Sequence, residues 1–98
     1  MIRNLKKLSK KYPSLKNEYL QLIHLLKEEP KQGTSIGGGC YKIRISIASK
    51  GKGKSGGARV ITFLQLVQHS VYLLSIFDKS DQENISDSEL KHLLKFIP

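Results

Sequence analysis

At 98 residues and 39 % apolar content the chain is sized for a single small domain, residues 1–98, with one modest core and no room for two. Seventeen Lys and Arg against eight Asp and Glu leave a formal charge of +9, which folding does not need; it suits phosphate, an acidic protein or an anionic membrane surface. The one cysteine, Cys40, excludes an internal disulfide and fits a reducing cytoplasm. His24, His69 and His92 are too far apart for metal-ligand spacing, so neither a metal nor any other cofactor is expected. A membrane role is not expected either. The basic N-terminus has no apolar stretch of the secretory kind, and no run approaches the ~18 apolar residues of a span.

In chain order, Ile2, Leu5 and Leu8 recur at helical spacing among lysines, and Pro13 interrupts that helix. Ser14 is the N-cap candidate for a second helix. Its stripe is Leu15, Tyr19, Leu22, Ile23 and Leu26, and Glu28, Glu29 and Pro30 close it. The pair reads as a helical hairpin whose second member turns an apolar face to a sheet. Lys31 to Gly39 reads as a loop, with Gly37, Gly38 and Gly39 permitting a bend or bulge.

Three strands follow, from about Cys40 to Ala48, Arg59 to Val67 and Val71 to Phe77, the last two apolar on both faces. Gln68-His69-Ser70 is too short for anything but a hairpin, so these pairings are antiparallel. Asp78 to Asn84 is a charged turn. Ser86-Asp87-Ser88-Glu89 is a capping box, opening a short helix that carries Leu90, Leu93, Leu94 and Ile97. The fold class is therefore α+β: an N-terminal helical hairpin packed on a small, mostly antiparallel sheet, with a short C-terminal helix.

Charge is concentrated in Tyr41 to Arg59, where Lys42, Arg44, Lys50, Lys52, Lys54 and Arg59 all fall, and no acid occurs between Glu29 and Asp78. Strand alternation sends Lys42, Arg44 and Ser46 to one face and Tyr41, Ile43, Ile45 and Ile47 to the other. Arg59 returns beside them on the next strand, and Lys79 reaches the same sheet end if the register allows. Lysine–glycine runs such as Lys50 to Gly57 are commonly just solvated; cations fixed on strands are more specific. Ala48 to Ser55 imitates a phosphate-binding P-loop. That loop needs a helix directly behind it, and here a strand pattern follows.

No nucleophilic triad and no carboxylate pair is suggested. The chemistry open to such a cluster is the stabilisation of a phosphorane while an RNA 2′-hydroxyl attacks its adjacent phosphate, with a lysine moving the proton.

The succession helix, helix, YKIRIS, basic loop, GGARVITF, apolar hairpin strand and DKSDQENIS before a short helix resembles the RelE/ParE toxin superfamily. KGKGKSGGARVI is particularly similar to the HigB-type RelE-like toxins. The resemblance spans nearly the whole chain and is most specific from Tyr41 to Asn84. It implies a toxin of a type II toxin–antitoxin system, an endoribonuclease that cuts mRNA on the ribosome without metal. It also implies an antitoxin partner, a small DNA-binding protein. Family site positions fall on Lys42, Arg44, Arg59 and Lys79, with Lys50, Lys52 and Lys54 holding RNA phosphates. The pattern departs at one point: the RelE type has a tyrosine in its tail, and Asp81 to Ser86 has none, which leaves a lysine as the candidate base. Two alternatives stay open, a ParE-like toxin that inhibits DNA gyrase without cutting RNA and an inactive basic RNA-binding domain.

Overall fold

A computed structural model describes residues 5–47, 57–65, 70–79, 82, 84–95 and 97. The order is α1 (Leu5–Lys11), α2 (Leu15–Glu28), β1 (Thr34–Gly37), β2 (Cys40–Ile45), β3 (Ala58–Gln65), β4 (Ser70–Asp78) and α3 (Asp87–Leu94). The strands form one antiparallel sheet in the order β1-β2-β3-β4. This is the α+β arrangement expected, and antiparallel neighbours on short connections explain why sequence order and spatial order coincide.

The helical hairpin breaks where proline dictates. Tyr12 N–H still bonds Leu8 C=O at 2.8 Å; Pro13 has no N–H to offer, and α2 begins two residues later. Ser14 occupies the cap position of α2 but does not cap it with its side chain. Its backbone is already helical, at φ −72° and ψ −15°, instead of the extended geometry that aims a cap oxygen at the next turn. Its hydroxyl instead donates to Glu18 Oε1 at 2.9 Å. Ser86 behaves as the capping box requires: at ψ 156° its Oγ accepts from Glu89 N–H at 3.2 Å.

The stretch expected to be a loop, Lys31 to Gly39, contains β1. Thr34 pairs with Lys42, Ser35 with Tyr41 and Gly37 with Cys40, with an irregularity between Ser35 and Gly37. The turn behind it runs through Gly37, Gly38 and Gly39 at φ 93°, 61° and 81°, a left-handed run only glycine adopts cheaply. A four-residue strand exposed at Thr34, Ser35 and Gly37 carries little hydrophobic signal of its own.

The sheet separates two apolar layers. Leu8, Leu15, Leu22 and Leu26 of the hairpin pack on Ile43, Ile45, Ile47, Ala58, Val60 and Ile76. On the other face Ile85 and Leu93, with Leu90, Leu94 and Ile97 beside them, pack on Cys40, Ile61, Leu74 and Phe77. Each fully buried Leu or Ile contributes about 1.5–3 kcal/mol, so either layer outweighs the modest propensity of its short helices. Both layers explain why β3 and β4 are apolar on both faces. The strands differ from expectation mainly at their ends: Ser46 and Ile47 lie beyond β2, though Ile47 is fully buried, and β4 extends to Ser70 and Asp78. No helix among the described residues is long and apolar enough to cross a membrane.

Candidate functional site

Register, not sequence proximity, assembles the cations. In β2 and β3 Arg44 is the direct partner of Arg59, and Arg59 in turn faces Phe77 of β4. Direct antiparallel partners share a face, with Cα atoms about 4.5–5.5 Å apart. Lys42 lies two residues along the same face, opposite Ile61. Ile61 and Phe77 belong to the layer under α3, so Lys42, Arg44 and Arg59 occupy that face, away from the helical hairpin.

Lys79 completes the group. Its backbone N–H bonds Gly57 C=O at 3.1 Å, which carries the β3–β4 register one step beyond Ala58↔Asp78. Asp78 is held on the hairpin side by Tyr12, and alternation sends Lys79 to the face of Arg59. Arg44, Arg59 and Lys79 therefore share one face at one end of the sheet, with Lys42 two residues further along β2 on the same face. Lys50, Lys52 and Lys54, expected to grip RNA phosphates, lie outside the described residues, as do His69 and the whole P-loop-like segment.

The members differ in exposure. Arg44 is exposed, Lys42 and Lys79 are half-buried, and Arg59 is only 3 % exposed. Burial, and then the charge of Arg44, pull the Arg59 guanidinium below its ordinary pKa. One of its nitrogens donates to Ala58 C=O at 3.1 Å. Two guanidinium groups on paired residues of one face make a locally positive surface, which attracts an anion.

Gly57 makes this geometry possible. A Cβ there would collide with Ile45 C=O and lie 3.0 Å from Ser46 Cα. The backbones of β2 and β3 therefore meet here at a distance only glycine permits, just before Arg59. The GGAR run resembled a family pattern; the reason for its second glycine lies in this contact.

Two residues were misread or passed over. Asp78, taken for the start of a charged turn, is the last residue of β4 and is 1 % exposed. Tyr12 had no assigned role, yet its hydroxyl donates to Asp78 Oδ2 at 2.6 Å. Counting alternation from Ile76 would have put Asp78 on the core face; nothing in the sequence links it to Tyr12. Tyr72 stacks on Phe63 with ring centroids 6.4 Å apart. His92 is exposed on α3. Among the described residues no cluster of His, Cys, Asp or Glu could hold a metal.

The family model described as the RelE toxin of the RelE / RelB toxin-antitoxin system matches residues 3–97. The chain belongs to the RelE toxin family. It is thus the toxin of a toxin–antitoxin pair, and an antitoxin is its partner. The match spans both helices of the hairpin, every strand and α3, so the cationic sheet end lies wholly within the family unit.

Proposed function

We propose that this RelE toxin is a ribosome-dependent endoribonuclease that cuts mRNA by transesterification. The observation that carries the reading is the pairing of Arg44 with a nearly buried Arg59 on one face, with Lys79 at the same sheet end and Lys42 further along that face. The RNA 2′-hydroxyl gives up its proton and attacks the adjacent phosphorus; the P–O5′ bond breaks, leaving a cyclic phosphate and a 5′-hydroxyl. Negative charge grows on the non-bridging oxygens of the phosphorane. In this reading Arg44 and Arg59 meet it with planar, multi-donor groups carried on paired strands. A lysine of the same cluster, Lys42 or Lys79, moves the proton, in place of the tyrosine that the tail lacks. Lys50, Lys52 and Lys54 add non-specific phosphate affinity.

The test is controlled expression of the chain, with mRNA 5′ ends mapped by primer extension, beside Arg59→Ala. New ends confined to translated codons, reduced about 10²–10³-fold in a folded Arg59→Ala protein, are the expected result. A folded variant that cuts at the normal rate overturns the role of Arg59. Growth arrest with an SOS response and no cuts overturns the nuclease reading in favour of gyrase inhibition.

A further inference from the structure

We propose that Tyr12 and Asp78 form a strut that positions Lys79 in the cationic cluster. The inference rests on the nuclease reading for its functional consequence, and on geometry alone for the strut. Lys79 lies just past the end of β4, in a turn, where a strand terminus would ordinarily fray. It is attached on both sides. On the β3 side its N–H bonds Gly57 C=O. On the hairpin side the preceding residue, Asp78, is buried to 1 % exposure and receives the Tyr12 hydroxyl at 2.6 Å, the short distance of a charge-assisted bond.

A carboxylate is a costly group to bury, and its position is set by the donors that compensate it. Tyr12 is such a donor, and it comes from the last turn of the α1 region, 66 residues away in sequence. Because Asp78 and Lys79 point to opposite faces, fixing one side chain fixes the orientation of the next. The hairpin therefore reaches through the sheet edge to aim a lysine at the site, without touching RNA itself. Tyr12 and Asp78 are positioning residues in this scheme, and Lys79 is the group they place.

The experiment compares wild type, Tyr12→Phe, Lys79→Ala and the double variant by amide hydrogen exchange and by single-turnover mRNA cleavage on ribosomes. Tyr12→Phe keeps the ring in the core and removes only the hydroxyl. Exchange at the Lys79 amide is expected to speed up at least tenfold, while amides of Val60 and Ile43 keep wild-type protection. Unchanged exchange at Lys79, or equal loss of protection across the sheet, overturns the strut. In cleavage, Tyr12→Phe is expected to slow the reaction about tenfold, and the double variant to be no slower than Lys79→Ala. A double variant slower than Lys79→Ala by the full Tyr12→Phe factor means that Tyr12 acts elsewhere, and overturns the assignment. If wild type does not cut at all, the nuclease reading fails and exchange at Lys79 alone decides the strut.

Discussion

Gly57→Ala isolates the close approach on which the cationic cluster depends. Glycine can be required for its backbone dihedral or for its missing side chain, and the described residues include both kinds. Gly38 has φ 61° and open space around a built Cβ, so alanine there meets only the left-handed penalty, about 1–2 kcal/mol. Gly57 has no positive φ, but its Cβ would overlap Ile45 C=O and sit 3.0 Å from both Ile45 C and Ser46 Cα. The obstacle is backbone in a paired strand, which cannot rotate aside. Overpacking of a yielding core costs about 1–3 kcal/mol, so a backbone collision belongs at or above the top of that range. The gain from a stiffer unfolded chain offsets only about 0.4–1 kcal/mol. A net loss near 3 kcal/mol lowers Tm by about 12–24 °C in a domain of this size. Gly38→Ala should lower it by about 4–16 °C. Thermal melts followed by circular dichroism measure both. A fall of less than about 4 °C for Gly57→Ala, or a larger fall for Gly38→Ala, would refute the claim that strand contact makes Gly57 necessary.

Arg59→Leu removes a multi-donor cation from the position paired with Arg44 and should reduce cleavage about 10²–10³-fold in a folded protein; urea denaturation beside the cleavage assay checks that the loss is not unfolding. Ser86→Ala removes the cap of α3 and should cost about 1 kcal/mol, read from the urea midpoint at constant slope. Burial pushes the Cys40 thiol above its ordinary pKa, so the folded state holds the proton more tightly than the unfolded chain. Stability is then full below the unfolded pKa and falls as pH rises above about 8.5. Melts at rising pH should show this loss, and Cys40→Ala should lessen it. In the same folded protein, thiol-reactive dye should label Cys40 only when the chain unfolds.

Some of this molecule was legible without any fold. The α2 stripe from Leu15 to Leu26, the isoleucine alternation of β2 and the capping box at Ser86 are local patterns. Helical and strand periodicities, and the reach of a serine to the third amide ahead, are set within a few residues. The concentration of cations between Tyr41 and Arg59, and the absence of acid around them, are likewise properties of composition, as was the family resemblance later met by the match over residues 3–97. The tertiary structure decided what depends on pairing between distant segments. It made β1 a strand, because a short polar run becomes one only when β2 offers it a ladder. Register set Arg44 against Arg59 and carried Lys79 to the same end, since a one-residue slip would send those side chains to the opposite face. Asp78 is buried and bound to Tyr12 because β4 and the helical hairpin meet there, a contact across 66 residues that no local pattern encodes. Composition supplied the charges, and long-range strand register determined which of them stand together.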